Sequence, residues 1–167
     1  PLLEVASKEE MASPLPEKPS IAVLPFVNMS ADPEQEYFSD GITEDIITNL
    51  SKVSGLLVIS RNSSFLYKGK QVGIQEVAKD LGVRYVLEGS VRRAGGRVRI
   101  NAQLIDGKTA QHVWADKYDR ELKGIFSVQD EVTRKVVSEL AVALTATESD
   151  RLIRKHTENF EAYDMYI

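Results

Sequence analysis

Residues 84–122, RYVLEGSVRRAGGRVRINAQLIDGKTAQHVWADKYDREL, decide the fold. Two alternating runs meet at Ala94-Gly95-Gly96, where glycines can take the positive φ that a tight hairpin turn demands. Registering the strands about that turn sets Val91 opposite Ile100, Gly89 opposite Ala102 and Leu87 opposite Leu104, so that one face is apolar. The other face pairs Ser90 with Asn101, Glu88 with Gln103 and Arg92 with Arg99. Two like charges directly opposed are mildly unfavourable unless water or an anion relaxes them, so this face is expected to meet solvent or a partner. A third strand, His112 to Tyr118, returns after the loop Asp106-Gly107-Lys108-Thr109 and carries the single tryptophan, Trp114. These residues predict an antiparallel meander and by themselves suggest no reaction.

Towards the N-terminus, Ile21-Ala22-Val23-Leu24-Pro25-Phe26 is continuously apolar, as in a strand covered on both faces, with Pro25 better placed at its end than in its middle. Asn28 to Asp40 is polar, has a turn signal at Ala31-Asp32-Pro33, and has room for a short helical turn. Ser39 or Asp40 then offers an N-cap oxygen, and Ile42, Ile46, Leu50 and Val53 line one helical face. Gly55 ends that helix and Leu56-Leu57-Val58-Ile59 reads as a second strand, giving a right-handed crossover between parallel neighbours. Ile74, Val77, Ala78 and Leu81 predict another amphipathic helix with Gly82 as its stop. Beyond the meander, Ile125, Val128, Val132, Val136, Leu140 and Ala143 form the stripe of a long helix, the natural lid for the apolar hairpin face. The expected class is α/β: a mixed sheet of about five strands in the order βαβαβββα, with a C-terminal antiparallel meander and flanking helices.

Composition sets the outer limits. The chain has 167 residues, 43% hydrophobic and 28% charged, enough for one well-buried core. A net charge of −4 argues against a surface that wraps nucleic acid, and none is expected as a partner. With no cysteine, disulfides and thiolate chemistry are excluded. No window is apolar enough for a membrane helix, and the basic-then-apolar order of a signal peptide is missing. Residues 1–19 hold four of the six prolines (Pro1, Pro14, Pro16 and Pro19) and read as a linker. The opening PLLEVASKEE, without an initiator methionine, is expected of a segment from within a longer protein.

Chemistry-bearing constellations are sparse. The two histidines, His112 and His156, stand beside no motif, and a lone histidine lacks the orienting third group that nucleophilic catalysis needs. No HExxH and no histidine pair at helical spacing suggests a metal, and neither metal nor cofactor is expected. Gly107-Lys108-Thr109 imitates the end of a phosphate-binding loop, but Ala102 stands where that motif needs glycine and a strand follows where a helix should. Trp114, Tyr118 and Tyr85 read as packing in preference to a stacking platform for a base. The loop Ser60 to Ser64 leaves the carboxyl end of the second strand, where open α/β sheets present ligand-contacting loops. It reads either as a small anion-binding loop with Arg61 as the charge or as a capped turn whose hydroxyls satisfy backbone amides, the commoner outcome at a strand exit. The candidate ligand or partner contacts are therefore Arg61, Asn62, Ser63 and Ser64, together with Arg92 and Arg99 on the polar hairpin face.

The runs SIAVLPFVNMSADPEQEYFSDGITEDIITNLSKV, VISRNSSFLYKGK and AKDLGVRYVLEGSVRRAGGRVRINAQLIDGKTAQHVWADKYDREL closely resemble the TolB amino-terminal-like domain, over about Lys18 to Leu144. The resemblance implies an α/β fold of mixed sheet and flanking helices. It also implies a place in a bacterial signalling protein, after a class III adenylate or guanylate cyclase, a winged-helix or a kinase domain, and before tetratricopeptide repeats. One departure is the second hairpin, where the family often has a threonine–glycine pair and this chain has Thr109-Ala110. The tail TENFEAYDMYI resembles the entry into a first repeat helix, which divides the chain into a linker (1–19), a TolB-like domain (20–146) and the start of a repeat region (147–167). No catalytic residue carries over. The expected function is a non-catalytic regulatory module that contacts a protein partner or neighbouring domains, with self-association through an open strand edge. The alternative is a small-ligand or nucleotide sensor built on the loop after the second strand. The hydrophilic leader suggests a cytoplasmic setting, and a membrane helix ahead of Pro1 would move the domain outside.

Overall fold

The computed structural model describes residues 19–143; the expectations for the linker and the repeat region lie outside them. At its centre is the hairpin of β4 (Tyr85–Ala94) and β5 (Arg97–Asp106), closed by Gly95 at φ 60°. Its register is the one the alternation dictates: Leu87 faces Leu104, Gly89 faces Ala102, Val91 faces Ile100, and Arg92 faces Arg99. β6 (His112–Glu121) adds antiparallel to β5, with Ile100 against Tyr118 and Leu104 against Trp114.

The parallel half is built from shorter pieces. β1 (Ser20–Val23) lies between β3 (Leu57–Val58) and β4 and is parallel to both, an interior strand as its continuous apolar run predicts. The run does not continue unbroken to Phe26. Val23 pairs with Leu87, but β2 (Val27–Asn28) resumes pairing with Val27 at Ser90, so four residues on one side span three on the other. Pro25 has no amide hydrogen to give the ladder, and the extra residue is absorbed there as a kink. The six-stranded sheet thus runs β3-β1-β4-β5-β6 with β2 also on β4, one strand more than expected because this first strand is split.

Helices cover the sheet unequally. α1 (Glu36–Ser51) and α4 (Ile125–Ala143) pack on the face that carries Leu87, Val91, Ile100, Leu104 and Trp114. They contribute Ile42, Ile46 and Leu50, and Val128, Val132, Val136 and Leu140, all buried. Each such side chain contributes about 2 kcal/mol of transfer free energy. α1 begins earlier than Ser39 or Asp40: Asp32 caps a 3₁₀ turn, Pro33–Gln35, by accepting from the amide of Glu34, and the turn runs straight into the helix. Ser39 is consequently an interior, fully buried helical residue. On the opposite face α3 (Ile74–Leu81), ended by Gly82 at φ 70°, packs Val77 and Ala78 over only one end of the sheet, near Ala22 and Val86. Trp114, Tyr118 and Tyr85 are all buried in the core, which makes them packing residues.

Candidate functional site

β1 leads through α1 to β3 on one side of itself, and the chain returns through α3 to β4 on the other side. The connections therefore diverge at the carboxyl end of β1, the crevice where open α/β sheets take their ligands. At that point the kink Leu24-Pro25-Phe26 opens a cleft of about 380 Å³. One wall is β4 at Glu88 and Gly89. The other is the stretch 67–72 that links a 3₁₀ turn (Phe65–Tyr67) to α3. Leu24, Pro25, Val72 and Val77 give it apolar lining, and Glu36 enters from the first turn of α1.

The kink is held by specific bonds. The Leu24 amide donates to the Leu87 carbonyl at 2.9 Å and the Met29 amide to that of Val91 at 2.7 Å. Between them, the buried Phe26 amide finds no strand partner and donates to Thr43 Oγ1 on α1 at 2.9 Å. Phe26 itself turns towards the α1 and α4 side, where its ring fits only because Gly89 has no side chain: a Cβ there would meet Phe26 Cε2 at 2.7 Å and overlap the Asn101 carbonyl.

The charges around the cleft are unevenly satisfied. Lys68 Nζ reaches Asp40 Oδ2 at 2.6 Å and Glu36 Oε1 at 3.1 Å. The Asp40 hydrogen bond holds the ammonium above its ordinary pKa, against the opposing effect of burial. Burial pushes the half-buried Glu88 carboxyl up, with only partial compensation from His112. Among the described residues Glu88 has no hydrogen bond or ion pair, and Lys70 across the cleft has no ion pair. Desolvation, followed by Asp80, raises the Tyr67 hydroxyl. Behind Lys68, Asp40 Oδ1 is buried without a partner.

The loop expected after the second strand is a short capped helix, α2 (Arg61–Ser64). Ser60 Oγ accepts from the amide of Ser63, Ser64 Oγ donates to the Arg61 carbonyl at 3.2 Å, and Asn62 is exposed. Arg61 Nε donates to Glu44 Oε2 at 2.6 Å while its guanidinium lies 4.1 Å above the Phe65 ring. This is the capped-turn arrangement, with the arginine charge already engaged. α2 leaves the outer strand β3, and β1 separates it from the strand that carries Arg92.

Arg92 and Arg99 do come together, as the register requires. They frame a hollow of about 140 Å³ on the sheet face that α3 leaves open, with Met29, Ser90, Asn101 and Lys117. The anion that relaxes their repulsion is internal: Arg99 makes a two-pronged pair with Asp119 of β6, at 2.7 and 3.4 Å. Sequence reasoning missed the cleft and its charges Glu36, Lys68, Lys70 and Glu88. The available signal was Glu88, an acid close behind the apolar start Tyr85-Val86-Leu87 of its strand, together with two lysines in YKGKQV just after the second crossover began.

Residues 17–135 match the family described as HilA/YgeH-like transcriptional regulator, second domain. The chain belongs to that family. A relative from Rhizobium meliloti (strain 1021), named "Putative adenylate cyclase 3", is 66% identical over 153 residues. That match takes in 92% of this chain and spans 26% of the relative's length. Among solved structures, TolB from Acinetobacter baumannii superposes with a TM-score of 0.56 at 19% identity, over 73% of this chain and 28% of that one. Lipoprotein GNA1162 from Neisseria meningitidis gives 0.54 at 18% identity, over 72% of this chain and 99% of that one. At such identity the likeness shows the fold, which for this HilA/YgeH-like second domain is TolB-like.

Proposed function

We propose that the chain is a non-catalytic regulatory and protein-interaction module of a bacterial signalling protein, placed C-terminal to an adenylate or guanylate cyclase domain. The observation that carries this reading is the pairing of contexts: the family is described from transcriptional regulators, whereas the 66% identical relative is named for cyclase chemistry. A domain that accompanies such different outputs supplies what they share, which is control. In this reading the segment after α4 enters tetratricopeptide repeats, the setting is cytoplasmic, and contacts run to neighbouring domains or to a second copy. The open sheet face with Arg92, Arg99 and Lys117 is the surface available for those contacts, since α3 covers only one end of it. Nucleic acid is left to other domains, in keeping with the net charge of −4 and the internal pairing of Arg99 with Asp119.

The test is direct. The isolated 167-residue chain, given ATP or GTP with magnesium or manganese, is expected to form no cyclic nucleotide. Turnover that tracks the purified chain would overturn the reading.

A further inference from the structure

The cleft at the kink has an arrangement that packing alone does not require. Half-buried Glu88 on β4 and exposed Lys70 on the facing stretch both line it and carry opposite charges; neither has an ion pair among the described residues, and His112 offsets only part of the cost of burying Glu88. Lys68, by contrast, is already neutralised by Asp40 and Glu36. Leu24, Pro25, Val72 and Val77 line the same cleft. Leaving a half-buried carboxylate unpartnered beside an apolar wall costs free energy that an incoming cationic group would recover. At about 380 Å³ the cleft is near the lower end of the range for small-molecule sites. With Lys68 already offset by Asp40 and Glu36, the unpaired Glu88 carboxylate opposes a polyphosphate there, so a nucleotide is a poor match.

We propose that this cleft binds a small zwitterion with an apolar body, of the α-amino acid or short-peptide class. Glu88 takes the ammonium, Lys70 takes the carboxylate, and Leu24, Pro25, Val72 and Val77 take the side chain. Occupancy would brace the 67–72 stretch against β4 and the β1–β2 kink, joining both sides of the switch point. The proposal deepens the regulatory reading by naming the class of signal, and it rests on that reading only for what occupancy does, since binding is measured independently of any output.

The experiment is a ¹⁵N-resolved NMR titration of the 167-residue chain with a panel of the proteinogenic amino acids. L-leucine, leucinamide and 4-methylpentanoate are the matched probes for the two charges. At least one amino acid is expected to shift amides at residues 24–29, 67–72 and 86–90 saturably. Leucinamide and 4-methylpentanoate are each expected to bind at least about tenfold more weakly than leucine, the scale of one lost charge-assisted hydrogen bond. Glu88→Gln and Lys70→Gln should each weaken the best ligand by a similar factor, and Arg92→Gln, outside the cleft, should not. Intact spectra of the variants show whether the fold is retained. Absence of saturable shifts with the whole panel would overturn the proposal, as would binding that neither Glu88→Gln nor Lys70→Gln weakens. Either failure leaves the regulatory reading untouched, which the cyclic nucleotide measurements decide separately.

Discussion

Three residues show how closely this fold is specified. Ala110, in the turn between β5 and β6, is the only non-glycine with positive φ among the described residues, at 62°, and its amide donates to the Asp106 carbonyl at 2.8 Å. The Thr109-Ala110 departure from the family pattern therefore keeps a glycine-type turn with a side chain that pays for it in steric strain. Ala110→Gly should stabilise the chain by about 1 kcal/mol, read as a higher urea midpoint at unchanged slope. Gly89→Ala should do the reverse by at least about 2 kcal/mol, because the new methyl would overlap the Asn101 carbonyl and press on Phe26. At Asp106, burial would raise the carboxyl pKa. The opposing bonds outweigh it: two from Arg84, at 3.2 and 3.0 Å, and one from the Lys108 amide at 2.8 Å lower the pKa overall. A carboxyl with a depressed folded pKa contributes stability that is present above its unfolded value, about 4, and is lost as pH falls through the folded value. The stability gap between wild type and Asp106→Asn should therefore shrink on going from about pH 6 to about pH 3. A gap that stays constant across that range would show that the ion pair does not set it.

At the scale of elements, the long periodic pieces were legible and the short ones were not. The β4–β5 register, the α4 stripe and the Gly82 stop of α3 follow from alternation, helical spacing and a glycine at φ 70°, signals repeated or strong enough to survive tertiary context. The first strand misled because an apolar run does not record a one-residue bulge, and the helix start misled because Ser39 and Asp40 look like caps while the capping oxygen lies at Asp32, ahead of a 3₁₀ turn. Of the candidate contact residues, only the juxtaposition of Arg92 and Arg99 was legible in the sequence. The cleft depends on which side of β1 each crossover passes, which a linear pattern does not display, and Arg61 looked available because its partner Glu44 is 17 residues earlier on α1. The split strand itself depends on one hydroxyl. Thr43→Val would strand the buried Phe26 amide, at a cost of about 1–3 kcal/mol, whereas Thr43→Ser keeps the acceptor and should lose less. Thermal or urea unfolding of the two variants separates the hydrogen bond from the methyl packing.

For the whole molecule, the architecture places a fully roofed sheet face beside a half-open one. α1 and α4 cover the first with a buried core, and among the described residues α3 leaves much of the second, with its cleft and its Arg92–Arg99–Lys117 hollow, uncovered. Such an arrangement is compatible with the proposed regulatory role. The measurement that bears most directly on the proposed role is the rate of cyclic nucleotide synthesis by a full-length protein of the proposed cyclase-containing kind, with residues 19–143 present and with them excised. Under the proposed function, excision changes the basal rate or abolishes its response to conditions while leaving the proposed cyclase domain able to turn over. Identical rates and identical responses in the two proteins would contradict it.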